Sequence, residues 1–167
     1  LSPIYPVWEH IMASFEELIA AYEAGIESIR KAVSGMNRQQ LTARPVAGTW
    51  STLECVAHIA DFEPVLAERM KRIISHERPL LLVADENLFL KTLGYDARDV
   101  QEELGVIETT RKQMVRILKA LPKDAASRIG IHSYKGQVTL EAVLASAVNH
   151  IPHHVKFIEE KRKALGN

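Results

Sequence analysis

Val100, Leu104, Ile107, Arg111, Met114, Leu118 and Leu121 follow one another at alternating spacings of four and three without a slip. That period places all seven side chains on one stripe of an α-helix and commits the segment to packing that stripe against other helices. Three further segments carry the same signature. From about Val7 to Val33 the stripe is Ile11, Phe15, Leu18, Tyr22, Ile26, Ile29 and Val33. From Ser51 to about His76 the segment opens on Ser51-Thr52-Leu53-Glu54, a capping box in which hydroxyl and carboxylate each satisfy the other's backbone amide. From Thr139 to Gly166 the inward positions are Leu140, Val143, Ala147, His150, His154 and Ile158. No segment shows a convincing strand alternation. The expected fold is therefore all-α, a four-helix bundle of helices about 36–42 Å long at 1.5 Å per residue.

The connections read as follows. Ser34 to Thr49 is a loop, with Trp50 ready to pack on the next helix. Pro64 should kink the second helix near Ala60, and Pro152 should open or bend the fourth. Glu77 to Tyr95 is ambiguous: Leu88 to Leu93 suits a short helical turn that Gly94 interrupts. Asp96 is the expected N-cap of the third helix and Pro122 its stop. Lys123 to Val138 holds a short extended piece at Ile129-Gly130-Ile131.

Charge narrows the function. Lys plus Arg and Asp plus Glu number 21 each. A generic nucleic-acid or anionic-membrane binder needs a surplus of positive charge, so neither partner is expected. The longest apolar run, Pro79 to Ala84, falls far short of the ~20 residues that span a bilayer. Cys55 is the only cysteine, which precludes an intramolecular disulfide and fits a reducing, cytoplasmic setting.

The chemistry-bearing residues are histidines. His150 and His154 lie one helical turn apart inside an apolar stripe, and buried imidazoles need partners for their ring nitrogens. One metal ion satisfies both, although an HxxxH pair serves a structural role as readily. His58 stands one turn after Glu54 and one turn before Asp61 and Phe62; alone, such a histidine is more often a core or surface residue than a ligand.

The stretch Trp50-Ser51 … Glu54 … His58 … Asp61 … Glu63 … Arg69 resembles the second helix of the DinB/YfiT superfamily. Gly136-Gln137-Val138-Thr139-Leu140 … His150 … His154 resembles its fourth, and Tyr95-Asp96-Ala97-Arg98 and Arg111 also fit. The resemblance runs along the whole chain, 1–167, as one DinB-like domain. It implies up-down-down-up connectivity, and a divalent metal, zinc or nickel, held by His58, His150 and His154. It also implies membership of a family that includes thiol-dependent S-transferases, among them enzymes using bacillithiol or mycothiol, and that often dimerises. The partners expected on this basis are a small-molecule substrate or low-molecular-weight thiol and a second copy of the chain.

The physical chemistry is compatible with that implication. Three histidines leave positions open for water or substrate, which is the pattern of a catalytic site. The function expected is a metal-dependent transfer of a thiol to a small electrophile; the alternatives are a metal-dependent hydrolase and a metal- or ligand-binding module without turnover. Other roles stay open. Glu54 and Asp61 could orient imidazoles or serve as cap and solvent-facing charges. Arg111 could bind an anionic substrate or pair with a buried carboxylate. His132 could line the pocket mouth, His10 and His76 mark helix ends, and His153 belongs at a solvated rim. Cys55 reads as a small buried hydrophobe, and Glu159 to Lys163 as a solvated face.

Overall fold

The computed structural model describes residues 13–166. Four long helices dominate it: α1 (Phe15–Val33), α3 (Thr52–Ser75), α5 (Val100–Lys119) and α6 (Leu140–Ala164), with short helices α2 (Arg38–Thr42) and α4 (Glu86–Thr92) in the connections. The expected start of the first helix, with His10 and Ile11, lies outside the described residues. Within them Ser14 is extended and caps α1, its hydroxyl accepting from the Glu17 amide while Glu17 accepts from the Ser14 amide. Ser14-x-x-Glu17 is a capping box of the same form as the one at Ser51.

Cross-helix contacts set the directions. Lys71 meets Gln113 and Asp61 meets Arg98 just before α5, so α3 and α5 run parallel. Arg162 donates to the carbonyls of Ala32 and Ser34, so α1 and α6 end together. Lys119 meets Glu23 while Arg30 meets Glu108, which makes α1 and α5 antiparallel. The Cys55 thiol lies against Lys161, which makes α3 and α6 antiparallel. The connectivity is up-down-down-up. Each of α1 and α3 packs on both α5 and α6.

Several local expectations are corrected. The third helix is capped by Asp99, whose carboxylate accepts from the Gln101 and Glu102 amides; Asp96 sits in a 3-10 turn, Tyr95–Ala97, just before it. The loop from Ser34 contains α2, opened by an Asn37/Gln40 capping box. Neither proline ends its helix: α3 and α6 continue past Pro64 and Pro152, which lie on the exposed face where the freed carbonyls can turn to water. The extended piece expected at Ile129-Gly130-Ile131 is β2 (Ile129–His132); beyond it, β3 (Gly136–Thr139) forms an antiparallel hairpin with β2, and β1 (Leu80–Leu81) pairs with β2 in parallel. The hairpin seats on α3 where Gly130 lacks a side chain, because a Cβ there would stand 2.8 Å from Leu81 and 2.9 Å from Ile73. Among the described residues no helix is long and apolar enough to cross a membrane.

The apolar interior is two clusters. One gathers Tyr22, Met70, Met114 and Leu144; the other gathers Ile29, Ile59, Ile107 and Ile151. Glu63 and Arg111, both fully buried, fall between these positions on their helices and form a charged layer across the bundle.

Candidate metal centre

The Ser51/Glu54 box fixes where α3 begins, with the Ser51 hydroxyl 3.1 Å from the Glu54 amide and the Glu54 carboxylate 2.7 Å from the Ser51 amide. His58 follows within two turns and is 1 % exposed. Because α6 runs antiparallel to α3, His150 and His154 meet it from across the bundle. His58 Nε2 and His150 Nε2 are 2.9 Å apart, and ligand-type nitrogens of all three histidines lie within 4.8 Å of one another. Among the described residues this is the only group of three or more His, Cys, Asp or Glu side chains that could hold a metal ion.

Aromatic walls surround the imidazoles. Trp50 stacks on His154 with planes 10° apart and meets His58 edge-on, its ring centroid 5.2 Å away. Phe62 closes the other side of His58 at 4.5 Å and touches Phe89 of α4 at 5.5 Å. Burial in this apolar shell, opposed at His58 by Asp61, pulls the His58 imidazole down to about 4. Burial first, then the neighbouring histidines, pulls His150 and His154 to about 3, with Arg111 adding to the effect at His150. The rings are thus neutral at physiological pH, the form that ligates metal.

The donor set fits a divalent ion on internal grounds. Nδ1 of His58 and Nδ1 of His150 are buried without a hydrogen-bond partner. Their Nε2 atoms face each other at 2.9 Å, where one nitrogen at most carries the proton such a bond needs. A cation between these nitrogens would satisfy more lone pairs than the imidazoles satisfy alone.

Of the roles open to Glu54 and Asp61, orienting an imidazole is taken by neither. Glu54 caps its own helix and pairs with Arg44, and Asp61 takes the Arg98 guanidinium in a two-pronged pair at 2.8 and 3.0 Å. Tyr95-Asp96-Ala97-Arg98 is accordingly structural, its arginine also stacking on buried Tyr95. Arg111 pairs with Glu63 rather than facing a substrate pocket. His132 does not join the triad: on β2 its Nδ1 accepts from the Tyr134 and Lys135 amides and closes the hairpin turn. His153 is exposed at the rim, and His76 ends α3.

Two residues near the centre escape the sequence reading. Glu86, the first residue of α4, brings a carboxylate oxygen to 3.9 Å from His58 Nε2. It lies in the ambiguous stretch; Asp85, the N-cap of α4, could have located that helix but not its contact with His58. Lys161 is 2 % exposed rather than solvated. The spacing His154, Ile158, Lys161 continues the inward stripe and could have revealed it.

A family model described as the DinB superfamily matches residues 6–158. The chain belongs to this superfamily. Among curated relatives, "Putative metal-dependent hydrolase YfiT" of Bacillus subtilis (strain 168) is 25% identical over 139 residues, 83% of this chain and 78% of that one. A "Putative metal-dependent hydrolase" of Geobacillus thermodenitrificans (strain NG80-2) is 25% identical over 152 residues, 90% of this chain and 85% of that one. The solved structure of YfiT from Bacillus subtilis, a probable metal-dependent hydrolase with an unusual four-helix bundle topology, matches with a TM-score of 0.85 at 23% identity, over 99% of this chain and 94% of that one. The mycothiol-dependent maleylpyruvate isomerase shares the fold with a TM-score of 0.67 at 16% identity, over 87% of this chain and 62% of that one.

Proposed function

We propose that His58, His150 and His154 hold one divalent metal ion, zinc or nickel, and that this DinB-superfamily chain is a metal-dependent enzyme joining a low-molecular-weight thiol to a small electrophile. The convergence of three neutral imidazoles, with ligand-type nitrogens within 4.8 Å of one another, carries this reading. Three protein ligands leave room for an exogenous group. When bound, the ion supplies Lewis acidity that lowers the pKa of a thiol or water.

The chain's own residues supply the rest. Trp50 and Phe62 hold the imidazole planes and exclude water from their faces. The Glu86 carboxylate, 3.9 Å from His58 Nε2, takes the proton that the incoming thiol or water gives up. Cys55 is not the nucleophile: it is 3 % exposed and burial pushes its thiol up, away from the reactive thiolate.

Hydrolysis, with water in place of the thiol, is the second reading. The names of the curated relatives favour it, and Glu86 is as well placed for a water proton as for a thiol proton. The mycothiol-dependent isomerase on the same fold favours the thiol. A homodimer in a reducing, cytoplasmic setting belongs to this reading. Leu80, Leu82, Val83 and Leu88, each more than half exposed, offer an apolar surface for a second copy, and Cys55 is unpaired.

Elemental analysis of untagged protein purified without chelator, beside His58→Ala, His150→Ala and His154→Ala, tests the centre. About one zinc or nickel per chain, lost in all three variants, is the expected result. Wild-type metal content in the variants overturns the ligand set. Thiol adducts formed with a panel of small electrophiles, against hydrolysis products, then separate the two reactions.

A further inference from the structure

A cavity of about 220 Å³ lies beside the triad on the His154 side, lined by Gly48, Thr49, Trp50, Cys55, His154, Phe157 and Lys161. Its walls are aromatic and its one cation is buried. Lys161 Nζ donates to the Phe157 carbonyl at 3.1 Å and approaches the Cys55 sulfur at 4.0 Å. Among the described residues no carboxylate lies within 4.0 Å of it. An ammonium carries three donors, and here a carbonyl and a weak sulfur acceptor take two. Burying a charge without a counter-ion is costly unless a ligand or water completes its shell.

The alternatives for that charge are few. Neighbouring lysines and arginines on the last turns of α6 reach solvent or backbone, as Arg162 does at Ala32 and Ser34. Lys161 instead continues the inward stripe and is held against the cavity by α3, where Cys55 is small enough to admit its stem. The Phe157 ring stands 5.8 Å from Nζ, and Trp50 lies parallel to His154 across the same space.

We infer that this cavity is the substrate-binding pocket of the centre and that it takes a small organic acid, its carboxylate on Lys161 Nζ and its apolar body between Trp50 and Phe157. The reacting end of such a molecule points to His154, two helical turns back along α6 from Lys161, about 10 Å along the axis. That the ligand is a substrate rests on the metal-enzyme reading; that the cavity binds a carboxylate does not.

The test uses the full chain, freed of metal by chelator and dialysed, with benzoate and its neutral isostere benzamide as probes. Amide shifts of Thr49, Trp50 and Lys161 in nitrogen-15 spectra give the affinities. Saturable benzoate binding at millimolar concentrations, at least tenfold weaker benzamide binding, and at least tenfold loss of benzoate binding in Lys161→Met are expected. Phe157→Ala should weaken both probes alike. Equal benzoate affinity in wild type and Lys161→Met, equal affinity for the two probes, or no saturation by wild type at tens of millimolar overturns the inference. His150→Ala, which does not line the cavity, keeps the two readings apart. It should lose metal and still bind benzoate in the metal-free state; loss of benzoate binding there would also count against the pocket.

Discussion

Arg111 of α5 and Glu63 of α3 form an ion pair from which solvent is wholly excluded, and the same guanidinium ties all four long helices together. Its Nη1 donates to the Tyr22 carbonyl of α1 at 2.7 Å and its Nη2 to the Ala147 carbonyl of α6 at 2.9 Å. The ring of Tyr22 stacks beneath it, 4.2 Å from the guanidinium carbon. Glu63 stands five residues after His58 on α3 and Ala147 three residues before His150 on α6, so the layer that holds the bundle also locates the histidines.

Removing one partner should be costly. Glu63→Ala or Arg111→Ala leaves the other charge buried and unpaired, which costs about 3–5 kcal/mol. Glu63→Leu with Arg111→Leu should cost much less than the two single changes summed. Urea unfolding of the three variants measures the difference.

Glycine substitutions in two helices should have opposite signs. A Cβ at Gly25 collides with Arg111 Nη1, so Gly25→Ala should destabilise by about 1–3 kcal/mol despite alanine's better helix propensity. A Cβ at Gly105 in α5 would have nothing within 4 Å of it, so Gly105→Ala should stabilise by up to about 1 kcal/mol. Melting temperatures of the pair decide this.

The metal-free protein should lose stability as pH falls from 6.5 toward about 3–4. In the unfolded chain the three histidines protonate near 6.5, whereas in the fold His58 stays neutral to about 4 and His150 and His154 to about 3. Between those values the unfolded state binds more protons, so stability rises with pH across the window. Chelator-treated wild type should show a steeper fall in unfolding free energy from pH 7 to pH 5 than His58→Gln/His150→Leu.

Metal should stabilise the fold by mass action. Zinc or nickel at about 100 times its dissociation constant adds about 2.7 kcal/mol if it binds only the folded chain. A rise in melting temperature on titration, reversed by chelator and absent in His154→Ala, is the expected result. A melting temperature insensitive to metal and chelator would mean that the triad is structural.

Loss of the second-helix cap should reach the site. Ser51→Ala removes the acceptor for the Glu54 amide and should cost about 0.5–2 kcal/mol. Because Trp50, which stacks on His154, precedes the cap directly, metal affinity should fall as well, while Ser51→Asn should retain most of both. Calorimetric metal titration of the two variants checks this.

Helical periodicity and capping were legible wherever the signal is local. The stripe from Leu104 to Leu118, the Ser51/Glu54 box and the Thr139 cap each depend on residues within one turn of one another, and each appears as read, although the helix stops at Lys119, short of Leu121. The shift of the third cap from Asp96 to Asp99 shows the limit of that reading. Both aspartates suit a cap, but Arg98 must reach Asp61, and this tertiary pair holds Tyr95–Ala97 in a separate 3-10 turn. The strands β1 and β2 pair residues some fifty positions apart, so Leu80-Leu81 carries no periodic signal of its own.

What the sequence by itself determined is which faces are apolar and which histidines lie on them. A 3.6-residue period puts His150 and His154 one turn apart whatever surrounds them; His58 was joined to them by resemblance to a family. Only the tertiary structure decided which charged groups those faces enclose. Arg111 turned inward to Glu63, Glu54 and Asp61 away from the imidazoles to arginines, Lys161 into a cavity, and Glu86 toward His58 from a separate short helix. A buried charge such as Arg111 is tolerable only with a partner, and Glu63 comes from another helix, beyond the reach of any local pattern.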